Sequence, residues 1–405
     1  MAKTKIITRS IFIIGLVSLF TDISSEMLYP IMPVYLKSIG FTALAIGILE
    51  GFAEATAGIS KGYFGKLSDQ IGRRLPFVKF GYFLSGISKP MLAMLGFLGW
   101  IFFARFLDRM GKGIRTGARD ALLSDMCTTE NKGKVFGFQR GMDTVGAAIG
   151  PALALLYLHF YPTNYTTLFL IAFAPAMIGV LFTFLIKEKK KIVINESESV
   201  NRKSKIANNP AKFLNPFAFI GYWKQSSKEY KKIVIGFFAF TLINSSDMLL
   251  LLMAKSTGIS DRDVIGVYIF YNIIYALASY PMGYLADKIG MKITFIIGLI
   301  LFTTVYIGMA NLKGEEMLYV LFFLYGIYAA CNEGITKAWI SKISPKEETA
   351  TAIGFFSGIS SILTLLASSI AGLLWVEYNP SLTFLVSGIG AGLVVVYFLG
   401  LRFKV

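Results

Sequence analysis

Apolar stretches of 18 or more residues recur along the whole of this 405-residue chain, TTLFLIAFAPAMIGVLFTFLI (166–186) among them. Each is long enough to cross about 30 Å of hydrocarbon as a helix. Hydrocarbon offers no water to backbone N–H and C=O groups, so only helices and closed barrels span it. Barrel strands read as short alternating segments, whereas these runs are long and studded with glycine. Charged residues make up only 16% of the chain and hydrophobic ones 55%, which argues against two or three soluble domains. The expectation is an all-α membrane protein.

Twelve transmembrane helices are expected, at roughly 10–36, 43–64, 75–96, 99–123, 134–159 and 165–186, then 232–254, 263–284, 291–311, 316–340, 350–376 and 380–401. They group as an N-terminal six-helix bundle (1–186), a cytoplasmic linker (187–231) and a C-terminal six-helix bundle (232–405). The opening MAKTKIITRS resembles the start of a signal peptide. The apolar run after it carries Asp22 and Glu26 and lacks a small-residue cleavage site, so it reads as the first span. The linker is rich in charge (KEKKK at 187–191), and 211–223 reads as an amphipathic stretch lying on the membrane surface.

A net charge of +16 raises the question of nucleic acid. The distribution answers it. Counting helix-end residues with their loops, the N-terminus, alternate loops and the C-terminus hold 26 Lys and Arg, against four (Lys37, Lys255, Arg262, Lys313) on the other side. Basic residues stay on the cytoplasmic side, so both termini are expected there and no nucleic-acid partner is needed. Cys127 and Cys331 fall in different halves and imply neither a disulfide framework nor a metal site. His159, the sole histidine, reads as a packed or interfacial residue. The aromatics read as mostly lipid-facing or interfacial.

Segments repeat. GKLSDQIGRR (65–74) recurs as GYLADKIGMK 218 residues later, GFQRG (137–141) as GFFSG 217 later, and SSEML (24–28) as SSDML 221 later. Three matches in order at nearly constant spacing indicate two parallel repeats. The loop Gly65-x-Leu67-x-Asp69-x-x-Gly72-Arg73-Arg74, with its weaker copy Gly283, Leu285, Asp287, Gly290 and Lys292, resembles the signature of the major facilitator superfamily. Tyr29-Pro30 and Pro33 resemble that family's proline-marked end of its first helix. Gly137, Gly146, Gly150 and Pro151 resemble its antiporter motif up to the last two positions, which are Ala154 and Leu155 here. The resemblance covers nearly the whole chain. It implies two pseudo-symmetric bundles, alternating access, and a signature loop that latches the halves in the outward-facing state. It also implies a substrate cavity between helices 1, 4, 7 and 10, and it points to the bacterial drug and small-solute proton antiporters.

With helix-end residues counted with their loops, nineteen acidic and basic residues fall inside the expected spans, sixteen of them in the first half. Each is costly in hydrocarbon, so they should face the interior and pair. The fourth span carries Arg105, Asp108, Arg109, Lys112, Arg115, Arg119 and Asp120 within one arc of about 140°. Arg109, Lys112 and Gly113 resemble the family's Arg-x-x-Gln-Gly pattern, with Lys replacing Gln. Asp22, Glu26 and Glu54 are the proton-coupling candidates, since a desolvated carboxylate can take up a proton near neutral pH. Arg105, Arg109, Lys112, Asn244, Asp247 and Glu333 are the substrate-binding candidates. Arg115, Arg119, Arg140, Asp143 and Lys337 are expected in structural ion pairs, with Lys337 on Glu333 at i,i+4 and Asp69 near Arg119. The second half is expected to be a mostly apolar wall.

The functional expectation is secondary active transport of a small organic solute, anionic or zwitterionic, by proton-coupled export across the plasma (inner) membrane, as a monomer among lipids. Uptake or exchange of an organic anion is the alternative within transport. A membrane enzyme or sensor on a transporter scaffold is the alternative outside it. No phosphate loop, Ser–His–acid set or metal-ligand cluster is apparent, so no cofactor and no enzyme activity are expected.

Overall fold

The computed structural model describes residues 6–188, 215, 217–244, 247–259, 261–312 and 314–401, and all regular structure among them is helical. The helices are α1 (Arg9–Leu28), α2 (Met32–Ser38), α3 (Ala43–Ile71), α4 (Leu75–Met94), α5 (Leu98–Asp125), α6 (Lys132–Phe160) and α7 (Tyr165–Thr183). A 3-10 turn, Ala218–Gly221, leads into α8 (Tyr222–Gln225). Then follow α9 (Lys228–Ile243), α10 (Asp247–Ser256), α11 (Asp261–Ile289), α12 (Met291–Ala310), α13 (Gly314–Ile343), α14 (Thr349–Glu377) and α15 (Pro380–Gly400).

Seven of these are long and apolar enough to cross a membrane by length and composition: α1, α6, α7, α12, α13, α14 and α15. Starts are set by side-chain caps that satisfy orphan N–H groups. Thr8 accepts from Ile11 N at 3.4 Å, Ser227 from Tyr230 N at 3.1 Å and Asn379 from Leu382 N at 2.7 Å. Large apolar side chains such as Leu181, Leu277, Val376 and Leu393 face outward. A water-soluble surface would not carry so much exposed apolar area.

Two expected spans are broken. The first ends at Leu28 and resumes as α2 after Tyr29–Ile31, because Pro30 has no N–H to continue the ladder. The span expected at 232–254 begins earlier, at Lys228, and divides between α9 and α10; Ser245 lies outside the described residues. Of the linker, 189–214 and 216 lie outside them too. The part of the amphipathic stretch that is described buries Phe219 and Tyr222 against the protein and leaves Phe217 and Ile220 exposed.

Helices α1, α3, α4, α5, α6 and α7 pack among themselves, as do α9 and α11 to α15. The two groups meet along α3 against α14 and α6 against α11. That seam is closed at one end. Gly65 lies against the Ala350 carbonyl, Gly283 against Gly133, and Gly137 against the Ser279 carbonyl. Farther along, a Cβ added at Gly51 of α3, Gly266 of α11 or Gly372 of α14 would meet nothing within 4 Å.

The signature loop lies at the closed end, and its Asp caps a helix of the other group. Asp69 accepts from Thr351 N at 2.6 Å and from the Thr351 hydroxyl at 2.7 Å, at the start of α14. Its copy Asp287 accepts from Gly133 N at 2.7 Å and Lys134 N at 2.9 Å, at the start of α6. Each carboxylate thus meets orphan N–H groups and the positive end of a helix dipole. Arg74, buried, ties Asp69 at 2.5 Å to Asp125 at 2.9 Å and donates to the Lys346 carbonyl. Arg73 is exposed. Asp69 was expected near Arg119, but Arg119 is held by Asp120 and Asp143 instead. Gly72 and Gly290 adopt φ of 72° and 99° and make the turns that follow α3 and α11.

Candidate solute cavity

The charged stripe of α5 is turned inward, so its side chains must find partners or a ligand. They divide into three tiers. In the outermost, Asp108 accepts from Ser85 at 2.6 Å and Lys89 at 2.7 Å, with Arg105 at 3.8 Å. Arg105 also reaches Glu50 at 2.5 Å. Arg109 lies between Glu54 at 3.4 Å and Glu50 at 4.0 Å. Two substrate-binding candidates, Arg105 and Arg109, and one proton candidate, Glu54, are therefore already paired.

The innermost tier sits at the closed end of the seam. Asp120, nearly inaccessible, is held by Arg119 and Lys337, both at 2.9 Å. Asp143 accepts from Gln139 at 2.9 Å and has Arg119 at 3.7 Å and Arg140 at 3.9 Å. Arg140 crosses the seam to Glu333 at 2.8 Å and to the Tyr275 hydroxyl at 2.5 Å. The expected Glu333–Lys337 pair is thus not formed. Both lie on α13, and each instead takes an opposite charge from the other group of helices, where two further charges need compensation.

Bordering the outermost tier, and sharing Lys89, Arg105, Asp108 and Arg109 with it, lies a narrow cleft of about 30 Å³, bounded by α1, α2, α4 and α5. Its charged lining is Asp22, Glu26, Lys89, Arg105, Asp108, Arg109, Lys112 and Arg115. Asp22, Glu26, Lys112 and Arg115 have no ion-pair partner within 4.0 Å among the described residues. For Arg115 this corrects the expectation of a structural pair: its guanidinium lies over the Tyr82 ring, 4.4 Å from the centroid. Its Nη1 is buried without an acceptor among the described residues. Asp22 and Glu26 reach the cleft because α1 lies close to α6, with Gly146 against the Leu19 carbonyl and Gly150 against that of Ile23, where a Cβ would come within 2.6 Å. Pro151 follows inside the same helix.

Asn244, Asp247 and Glu333 do not line the cleft. Asp247 accepts from the Tyr325 hydroxyl at 2.7 Å. The Asn244 and Asn332 amides both donate to the Tyr328 hydroxyl, at 3.2 and 3.1 Å. The second half is therefore not simply apolar. Tyr271, Tyr275, Tyr325 and Tyr328 are buried and packed ring to ring, with centroids 5.1–6.0 Å apart along the series. Sequence reasoning missed this cluster. A signal was present: Tyr268, Tyr271 and Tyr275 fall at i, i+3 and i+7 on one helix face.

Comparisons with known proteins bear on the family and the fold. The family model described as Major Facilitator Superfamily matches residues 14–252 and 233–404. An uncharacterised MFS-type transporter of Methanocaldococcus jannaschii is 35% identical over 386 residues, 94% of this chain and 91% of that protein. A multi-drug resistance efflux pump homologue of Lactococcus lactis is 23% identical over 400 residues, covering 94% and 93%. Among solved structures, the human organic anion transporter MFSD10 superposes with a TM-score of 0.79 at 14% identity, covering 96% of this chain and 99% of that one. The Escherichia coli fucose:proton symporter gives 0.73 at 9% identity, covering 98% and 99%. On the match of the family model across both halves, the chain belongs to the Major Facilitator Superfamily of membrane transporters.

Proposed function

We propose that this transporter exports a small zwitterionic organic solute in exchange for protons across the plasma membrane. In this reading twelve spans form two six-helix bundles, 1–186 and 232–405, with both termini and the signature loop on the cytoplasmic side. The structure is then the outward-facing state. The observation that carries the proposal is the cleft's four unpaired charges, two of each sign: Asp22, Glu26, Lys112 and Arg115. An unpaired charge inside a membrane protein is costly, and a ligand or a proton relieves it. A solute carboxylate would meet Lys112 and Arg115, the latter by a two-pronged contact. The solute's cationic group would meet Asp22 and Glu26 and displace their protons. Solute and proton thus compete for the same carboxylates, which is the requirement for antiport. The similarity to efflux pumps supports the outward direction.

One observation favours a second reading, transport of an organic anion. Eight charged groups line the cleft, five basic and three acidic. A purely anionic solute would occupy the cations and leave Asp22 and Glu26 without nearby positive charge. They would then take up a proton, so proton and solute would travel together. The two readings differ in the sign of the proton flux. Proteoliposomes containing a pH-sensitive dye, challenged with panels of zwitterionic and anionic organic compounds, measure that sign. Counter-movement of protons with a zwitterion supports antiport, and co-movement with an anion supports the second reading. Transport that ignores a collapsed proton gradient contradicts both.

A further inference from the structure

The described end of the segment that joins the two groups of helices packs at the closed end of the seam, and one of its side chains enters it. The Phe219 ring lies in a notch made by two glycines, Gly62 of α3 and Gly358 of α14. A Cβ on Gly62 would come within 2.6 Å of that ring, and one on Gly358 within 3.4 Å. Phe219 is 3% exposed. On the α3 side the segment is also tethered by Lys66, whose ammonium donates to the Ala218 carbonyl at 2.6 Å. On the α14 side it is held by an aromatic cluster around Phe355. Trp223 stacks on Phe355 at 5.8 Å, Tyr222 lies at 6.3 Å, and the Tyr230 hydroxyl donates to the Ala352 carbonyl at 2.8 Å. Burial pushes the Tyr222 phenol up to about 12. Phe355 and Ala352 belong to α14, so the aromatic contacts tie the segment to the second group. The Phe219–Gly62 and Lys66–Ala218 contacts tie it to α3.

We infer that Ala218–Gln225 is a conformational strap: it travels with α14, and seating Phe219 against Gly62 holds the seam shut. Opening the seam at the signature-loop end moves α14 away from α3 and pulls the ring from its seat. The strap therefore sets the balance between the two states of the transporter, independently of which solute it carries. The latch made by the signature loop is polar, through Asp69, Arg74 and Thr351. The strap adds an apolar latch beside it.

The test uses the full-length protein in lipid nanodiscs with Cys127→Ser and Cys331→Ala, spin-labelled at Gln70 and Lys346. Both positions are exposed and lie on opposite sides of the closed end. Pulsed EPR reads the ratio of long to short label separations. Phe219→Ala should raise that ratio roughly tenfold, since truncating a buried Phe removes far more than the 1.4 kcal/mol a tenfold shift needs. Gly62→Ala should act in the same direction, because the new methyl occupies the place of the ring. The double variant should do no more than either alone. If Phe219→Ala does not fold, Phe219→Leu should raise the ratio about threefold. A ratio unchanged by these substitutions in folded protein overturns the strap, as would independent, additive effects of Phe219→Ala and Gly62→Ala.

Discussion

The innermost tier of α5 and the cleft just above it are built from the same residue types and behave differently. In the inner tier Arg119, Asp120, Arg140, Asp143, Glu333 and Lys337 all have opposite charges within 4.0 Å. In the cleft Asp22, Glu26, Lys112 and Arg115 have none among the described residues. Exposure does not separate them: Asp120 and Asp143 of the inner tier and Arg115 of the cleft are buried, while Glu333 of the inner tier is half exposed. Completeness of pairing does. On the proposed reading, the paired tier spanning the seam holds a conformation, and the unpaired one receives a partner that comes and goes.

Substitutions can break that contrast. The largest effect is expected at Asp120, which holds two cations while almost wholly buried. Asp120→Ala leaves Arg119 and Lys337 uncompensated and should cost about 3–5 kcal/mol of stability. Chemical or thermal unfolding in detergent would read it. A loss under about 1 kcal/mol would mean that the inner tier is not structural. Lys112→Gln should do the reverse: solute affinity falls roughly tenfold or more, with the unfolding midpoint unchanged. A loss of folded protein on Lys112→Gln would place it with the structural charges. Glu333→Gln should have the smallest effect, about 1 kcal/mol or less, because its carboxylate is half exposed and screened. Its signature would be a shift toward the state open at the signature-loop end, read from label separations across the seam.

The sequence makes the helical membrane fold readable because hydrocarbon-length apolar runs need no knowledge of their neighbours. The signature loop is readable for a related reason: Gly65 to Arg74 is a local pattern with a near copy at Gly283 to Lys292. Partners across the seam are not local. Nothing near Asp69 in the chain indicates that it caps a helix start 282 residues away. Glu333 and Lys337 have the i,i+4 spacing of a pair, and helix geometry permits one. Arg140 and Asp120, brought up by other helices, compete and win. Arg115 looks like its neighbours on the stripe, and only the structure shows its face against Tyr82 and, among the described residues, no carboxylate within 4.0 Å of it. The tyrosine cluster went unread because aromatics in a membrane chain are ordinarily lipid-facing or interfacial.

The claim that the unpaired cleft charges couple solute to protons is tested most directly at Asp22. The measurement is proton flux per solute in proteoliposomes, wild type against Asp22→Asn, with an unfolding midpoint for each. The account predicts that the variant keeps a wild-type midpoint, still moves solute down its own gradient, and no longer drives solute with an imposed proton gradient. An unchanged proton-driven flux and pH dependence in Asp22→Asn would contradict it.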